Sequence, residues 1–340
     1  MVDGMDCLGV SLIAFECECD IVVTLKDCLT LGGKMKISID DGSNFTKWAF
    51  SDDNGVQKGA FPSRVIRSAL PSSSGDGFSN SSYEIDGQRY AVALSANDVI
   101  PTTNKQFQVS DANRVLIQHA LRQAPPQKSA EIVLTLPVGQ FFNQDGSKNE
   151  ALIKQKIENA KGSILCLDGK TAVEVEACYV LPEGLAAFNH VKNELNLREG
   201  EYLIADIGGT TTDLIVFDES NQIQSFKSVN VGAIQMLDSF GALVMGELSI
   251  NQLSDKHKLN GLLSGTIAGE DVSKHATQAL KSFTDKVFDQ VHLMGDLNLF
   301  NGVVFSGGGA NLLNSDFVKI LKTANPQLDN ALGALDIIGG

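Results

Sequence analysis

A short apolar strand that the sequence predicts at residues 36–40 ends in Asp40, and Asp41, Gly42 and Ser43 follow it directly. A glycine turn at the end of a buried strand can point its backbone N–H groups at a phosphate. Ser43 adds a hydroxyl donor, and Lys47 adds positive charge if the turn directs it inward. Asp40 is suited to holding Mg²⁺ through water, because a carboxylate would repel a phosphate directly. Alone, such a tetrapeptide is usually an ordinary turn.

A denser set of donors follows the strand predicted at residues 202–206. Asp206 ends that strand, and after Ile207 the chain reads two glycines and three threonines. An ordinary hairpin needs one glycine and rarely carries three threonines in a row. The segment therefore favours a phosphate-binding loop.

Three glycines come after a further buried strand, predicted at residues 302–305. Glycine permits close backbone approach, and a helix is predicted to start beside this turn. The segment suits a flat adenine ring, or an α-phosphate at the N-terminus of the helix. Leu312 stands where the dinucleotide-binding fingerprint needs its last glycine, which excludes that motif.

Glu183 lies between a predicted strand and a helix predicted at residues 185–197. A carboxylate at such a position can polarise an attacking water molecule. A favourable contact between the acid and the positive end of the helix is the alternative explanation. The residue by itself does not decide between the two.

The elements that would position these groups occur twice along the chain. Each half contains an apolar strand that ends in Asp, a glycine turn and a second strand, with Gly200 near the midpoint. The sequence also predicts a Ser- and Gly-rich loop at 71–82 and a hairpin at 83–90. Helices are predicted at 109–122, 185–197, 231–247 and 270–292.

The composition limits the possible functions. The chain has 340 residues and a net charge of −14, which suggests about two domains of roughly 150 residues each. Its acidity argues against general binding to nucleic acids or membrane surfaces, which select for Lys and Arg. No apolar run reaches the roughly 18 residues that a membrane span needs. We therefore expect neither direct DNA binding nor membrane association.

Residues 1–34 differ from the rest of the chain. Four of the six cysteines lie there, without the paired Cys-x-x-Cys spacing that a zinc site usually shows. Acids stand where a secretory signal needs basic residues. We expect a non-core extension, a natural start at Met35 and a reducing cytoplasm.

The order of these sites resembles the actin/Hsp70/hexokinase superfamily, whose cleft elements are called phosphate 1, connect 1, phosphate 2, adenosine and connect 2. Within it, residues 39–47, 98–104 and 204–213 are similar to the ParM/StbA family of actin-like plasmid segregation proteins. The likeness runs from residue 35 to residue 340, and it implies that connect 2 is a small-residue helix at 331–337 that returns to the first lobe.

The resemblance implies an α/β protein with a two-lobed actin-like fold, made of duplicated ribonuclease H-like domains with a nucleotide cleft between them. Lobe I would comprise residues 35–198, completed by 325–340, and lobe II residues 199–324.

The resemblance also implies roles for individual residues. Asp40 and Asp206 would hold Mg²⁺ through water, one from each lobe. Glu183 and Asp206 would be catalytic, with Glu183 orienting the hydrolytic water. The nucleotide-binding residues would be Asp41, Gly42, Ser43, Asn44, Lys47, Gly208, Gly209, Thr210, Thr211, Gly307, Gly308, Gly309 and Asn311.

The activity implied by the resemblance is that of an ATPase that forms filaments and segregates plasmid or phage DNA, with hydrolysis controlling polymer stability. Its cofactors would be Mg²⁺ and ATP, or alternatively GTP. Its partners would be further copies of itself and a DNA-binding adaptor of the ParR type at a centromere-like site, in the bacterial cytoplasm. The alternative is a small-molecule kinase, or another ATPase of the superfamily that does not polymerise.

Overall fold

The computed structural model describes residues 35–67, 81–93, 99–313 and 319–339. The predicted extension at 1–34 and most of the predicted loop at 71–82 lie outside these residues. Among the described residues, no helix is both long and apolar enough to cross a bilayer.

The first large sheet has the strand order β3-β2-β1-β7-β9. β1 pairs antiparallel with β2 and parallel with β7, and β9 continues the parallel side. β7 is buried almost throughout, as its continuous apolar sequence predicts. The strands are Lys36–Asp41 (β1), Phe45–Asp52 (β2), Gly55–Pro62 (β3), Ser129–Leu136 (β7) and Glu174–Pro182 (β9).

The second large sheet repeats this arrangement with the order β12-β11-β10-β15-β16. β10 pairs antiparallel with β11 and parallel with β15, just as β1 pairs with β2 and β7. The predicted internal duplication is therefore present. The strands are Tyr202–Ile207 (β10), Thr212–Phe217 (β11), Ile223–Val229 (β12), Gly302–Ser306 (β15) and Ile320–Leu321 (β16).

Two smaller sheets complete the strands. The first has the order β4-β6-β5-β8, and its central hairpin turns at Asp86 and Gly87, as predicted. The second pairs β13 with β14. The strands are Val65–Arg67 (β4), Ser82–Ile85 (β5), Gln88–Val92 (β6), Leu165–Cys166 (β8), Thr266–Ile267 (β13) and Glu270–Asp271 (β14).

Helices cover both faces of the large sheets. All five predicted helices are present, with each bound within three residues of the predicted one. The helices at 138–141, 150–161 and 255–264 were not predicted. The helices are Asp111–Leu121 (α1), Val138–Phe141 (α2), Glu150–Lys161 (α3), Leu185–Glu194 (α4), Ala233–Leu248 (α5), Asp255–Ser264 (α6), Ser273–His292 (α7) and Asp329–Ile337 (α8), with 3₁₀ turns at Lys105–Val109, Gly308–Leu312 and Pro326–Leu328.

Strand alternation separates two cores around the first sheet. Ile37 and Ile39 face a cluster that includes residues of α1, whereas Ser38 donates a 2.6 Å hydrogen bond to the carbonyl of Ala331 in α8. Around the second sheet, α5 and α7 cover one face and α4 covers the other.

Helices α4 and α8 pack directly against each other between the two large sheets. A Cβ at Gly333 would overlap the carbonyl oxygen of Ala186. Glycine at this position therefore lets the two backbones touch. α8 also packs on β1, β2 and β7, so the C-terminal helix joins the first half of the molecule.

Candidate functional site

The hairpin of β1 and β2 places a positive charge beside an acid. Asp40 and Lys47 are register partners, and Lys47 Nζ donates to Asp40 Oδ2 at 2.9 Å. The hydroxyl of Thr135, at the end of β7, donates to the other carboxylate oxygen at 3.3 Å. A Cβ at Gly42 would lie 2.9 Å from Lys47 Nζ, so the glycine lets the turn close over this pair.

Asp41 was predicted to contact the nucleotide, but its side chain points to the opposite face of β1. The carboxylate is buried and accepts from Lys156 Nζ and from Asn113 Nδ2, each at 2.5 Å. Neighbouring residues of a strand face opposite sides, so Asp40 and Asp41 cannot both face the hairpin turn. Asp41 anchors the hairpin to α1 and α3.

Neighbouring segments hold the first turn in place. Ser63 Oγ donates to the carbonyl of Gly42 at 2.6 Å, and Thr102 Oγ1 donates to the carbonyl of Ser43 at 2.6 Å. With both carbonyls occupied, the backbone N–H groups and the Ser43 hydroxyl are the polar groups that the turn can offer to an anion.

The hairpin of β10 and β11 faces the first one. Its turn is closed by a 2.8 Å hydrogen bond from Gly208 N to Thr211 O, and the first amides of α5 donate to the carbonyls of Gly208 and Gly209. Ser43 Oγ and Thr210 Oγ1 lie 3.2 Å apart, and a Cβ at Gly209 would lie 2.6 Å from the Cβ of Asn44. The two predicted phosphate loops are therefore in contact.

Two buried acids lie opposite each other at the base of the second hairpin. Asp206 accepts a 2.6 Å hydrogen bond from Asn330 Nδ2. Burial raises the pKa of Asp206 to about 7, and although the Asn330 bond lowers it, the nearby Asp40 and Asp213 add to the rise. Burial likewise raises the pKa of Asp213 to about 6. Asp213 Oδ2 accepts from the backbone N–H of Val138 at 3.0 Å.

Glu183 completes this acidic group. It directly follows β9, and its backbone N–H donates to the carbonyl of Leu136 at 2.7 Å. Burial and then the charges of Asp40, Asp206 and Asp213 raise the pKa of its carboxyl well above the ordinary value, while Lys47 partly offsets them. Acids from both hairpins and from the start of α4 therefore share one electrostatic environment.

This acidic group fits a divalent cation bound through water. Among the residues that the structure describes, no three His, Cys, Asp or Glu side chains are grouped closely enough to hold a metal ion. Mg²⁺ usually keeps several water ligands and takes only one or two carboxylates together with substrate phosphates. Asp40 and Asp206 match that kind of site, and Mg²⁺ would neutralise the repulsion between them.

The third glycine segment packs against the second hairpin. Gly307 has a φ of +79°, and a Cβ there would lie 2.5 Å from Asp206 Oδ1. Gly309 is buried against Ile207, whereas Gly308 and Asn311 are exposed. The predicted helix start is wrong, because residues 308–312 form a short 3₁₀ turn that does not continue.

Asn330 was not predicted to belong to the site. It lies in α8, more than 120 residues from Asp206 in sequence, and reaches Asp206 only through the return of the C-terminal helix. The one signal that the sequence offers is an amide side chain next to a run of small apolar residues, because a polar group in such surroundings needs a hydrogen-bond partner.

Two family models match the chain. The model of the N-terminal domain of the plasmid segregation protein ParM matches residues 35–194, and the model of the C-terminal domain of the archaeal MreB-like actin homologue matches residues 204–319. No curated protein matches the sequence.

Solved structures resemble the whole arrangement. A non-polymerisable quadruple mutant of pCBH ParM is 22% identical with a TM-score of 0.72, over 89% of this chain and 98% of that one. A 15-stranded ParM filament from Clostridium botulinum is 19% identical with a TM-score of 0.68, over 90% and 99%. An archaeal actin homologue in complex with ADP is 18% identical with a TM-score of 0.72, over 89% and 98%. These likenesses confirm the predicted actin-like, two-lobed α/β fold.

Proposed function

The chain belongs to the ParM-like actin-like proteins, and from that premise we propose that it is a filament-forming ATPase whose nucleotide binds between its two hairpins. The observation that carries this proposal is the contact of the two turns at Ser43 and Thr210, above the acidic group around Asp40 and Asp206. Two sets of hydrogen-bond donors suited to phosphate and one pair of acids suited to Mg²⁺ then meet at one place.

Each proposed role follows from where the side chain lies. Ser43, Lys47 and the amides of the first turn bind the β- and γ-phosphates from one side, and residues 208–211 bind them from the other. Asp40 and Asp206 orient the water molecules around Mg²⁺, which supplies neutralising charge when it is bound. Glu183 orients the attacking water. Asp41 contributes at most its backbone, because its carboxylate is buried with Lys156.

The exposed glycine turn is proposed to accept the nucleoside. Gly308 and Asn311 are exposed beside the second hairpin, while Gly307 and Gly309 hold the turn tightly against Asp206 and Ile207. A turn with so little side-chain bulk leaves room for a flat base or an α-phosphate. Because the described contacts do not select one base, the proposal covers ATP and, alternatively, GTP.

Filament formation is the further step of the proposal. A protomer that closes on its nucleotide and docks head to tail makes a heterologous interface, which continues into a polymer when the rotation does not close. Hydrolysis removes the γ-phosphate that joins the hairpins and so limits polymer lifetime. Segregation of plasmid or phage DNA would then use a ParR-type adaptor at a centromere-like site, because a net charge of −14 disfavours direct DNA binding.

Light scattering and electron microscopy test the function together. We expect the full chain at micromolar concentration to assemble with Mg-ATP and to release phosphate, and to lose both activities when EDTA removes the metal. Parallel samples with GTP and with ADP decide nucleotide preference and the effect of hydrolysis. Absence of assembly, combined with phosphate transfer that depends on an added small-molecule acceptor, would instead establish the kinase alternative.

A further inference from the structure

Asn330 uses both ends of its side-chain amide in the interior of the molecule. Its Oδ1 accepts hydrogen bonds from Gly184 N at 3.0 Å and Ala187 N at 3.2 Å. Its Nδ2 donates to Asp206 Oδ2 at 2.6 Å. The orientation of the amide is fixed, because backbone N–H groups can only donate and an ionised carboxylate can only accept.

These bonds join segments that are far apart in the chain. Gly184 directly follows Glu183 and is the N-cap residue of α4, but glycine has no side chain with which to cap the helix. The missing cap comes from α8 instead, 146 residues away. Position 184 is itself restricted, since its φ is +77° and a Cβ there would lie 2.6 Å from Ile215 Cδ1. A residue with a capping side chain is therefore disfavoured at position 184, and the cap comes from another segment.

We propose that Asn330 is a positioning residue for nucleotide hydrolysis, which holds Asp206 and the turn that carries Glu183 at a fixed separation. The inference rests on the proposed function, in which Asp206 orients the metal's water ligands and Glu183 orients the attacking water. A single buried amide then sets the geometry between the two. No contact with the nucleotide is required of Asn330.

Asn330→Asp separates this role from a purely structural one. Aspartate keeps an acceptor for Gly184 and Ala187 but has no amide N–H to donate to Asp206. The two carboxylates then either repel each other or share a proton, and either outcome changes the electrostatics at Asp206. We expect kcat to fall about ten- to hundredfold, as for the loss of a hydrogen bond to a charged group, and the Mg²⁺ concentration for half-maximal rate to rise. KM for the nucleotide at saturating Mg²⁺ should stay within about threefold.

Two further variants provide the controls. Asn330→Ala should show the same loss of kcat together with a lower urea midpoint, because the amides of α4 lose their acceptor as well. The exchanged pair Asn330→Asp with Asp206→Asn restores a donor and an acceptor in reversed order. It should recover the urea midpoint but not hydrolysis, since the acid is then on the wrong segment.

Hydrogen exchange supplies a measurement that needs no variant. Binding of a Mg-nucleotide at Asp206 should increase the protection of a peptide covering residues 183–188 in the wild-type chain. Wild-type kcat and Mg²⁺ dependence in Asn330→Asp would overturn the inference, and so would unchanged exchange of that peptide. A wild-type chain that neither binds nor hydrolyses nucleotide would overturn the proposed function instead.

Discussion

The side-chain oxygens of Ser43 and Thr210 lie 3.2 Å apart, although the two residues belong to hairpins of different sheets. A Cβ at Gly209 would already crowd Asn44, so the turns meet at their tips. In the proposed function, a phosphate bound between the two turns would separate them, so the distance between these residues would report nucleotide binding.

The variant Ser43→Cys with Thr210→Cys should therefore form a disulfide under mild oxidation, because small movements can bring the two sulfur atoms into bonding range. Mg-nucleotide should slow the reaction at least threefold, as measured by mass spectrometry of the cross-linked peptides. Ser43→Cys alone controls for pairing with the six native cysteines. Equal rates with and without nucleotide would place the phosphates elsewhere.

Lys47 should contribute strongly to nucleotide affinity. Burial tends to lower its pKa, but the pairing with Asp40 and the charges of Glu183 and Asp206 raise it overall, so the amine stays charged. Lys47→Met should raise the dissociation constant of the nucleotide about ten- to hundredfold. Calorimetric titration measures this, with the exposed Lys58→Met on β3 as the matched control. A change below threefold would show that the ammonium group does not contact phosphate.

Residues that follow directly on buried strands could be predicted from the sequence. Asp40, Asp206 and Gly307 each come at the end of such a strand, and apolar runs locate those ends well. Asp41 could have been placed correctly as well, because strand alternation puts it on the face opposite to Asp40. Asp41 shares its face of the strand with Ile37 and Ile39, which pack into the core, and that alternation is visible in the sequence.

Contacts made by distant segments could not be predicted in this way. Lys156 has the sequence context of an exposed helical lysine, yet it is completely buried and paired with Asp41. Asn330 reaches Asp206 only because α8 returns to pack on the first sheet. Such pairings depend on the three-dimensional arrangement of whole elements, and periodicity along one segment contains no information about them.

Glu183→Gln should slow hydrolysis and at the same time stabilise the protein. An acid whose pKa is raised on folding costs stability at pH values above its ordinary pKa, and Gln removes that cost. We expect a higher urea midpoint at pH 7.5, a kcat lower by about 10²- to 10⁴-fold and nucleotide affinity within about threefold. Glu199→Gln, an exposed acid beyond the end of α4, is the control. Unaltered turnover would exclude the water-orienting role.

Two glycine substitutions should have opposite effects on stability. At Gly333, a Cβ would overlap the carbonyl of Ala186 in α4, whereas at Gly246 in α5 a Cβ would meet no atom within 4 Å. Gly333→Ala should therefore destabilise by about 3 kcal/mol or more, because two backbones have to move apart. Gly246→Ala should stabilise by about 0.5–1 kcal/mol. Urea unfolding measures both, and a stable Gly333→Ala protein would contradict the direct packing of α4 on α8.

His119 should make the protein sensitive to acid. Tyr83 OH lies 3.1 Å from His119 Nδ1, and Arg122 donates to the same hydroxyl at 3.2 Å. Burial and the positive charge of Arg122 lower the pKa of His119 to about 4, although Asp168 partly opposes them. The folded state therefore binds fewer protons than the unfolded state, whose histidine has a pKa near 6.5, and stability is lost as the pH falls from about 6.5 towards 4.

The loss assigned to this residue is about 2 to 3 kcal/mol at pH 4.5 relative to pH 7.5. Asp206, Asp213 and Asp329 have raised pKa values and change stability in the opposite direction, so the measurement compares the wild type with His119→Gln at each pH. Urea midpoints of the two proteins should converge, or cross in favour of the variant, as the pH falls. Curves that stay parallel from pH 7.5 to 4.5 would mean that the pKa of His119 is the same in the folded and unfolded states, which its burial near the charge of Arg122 argues against.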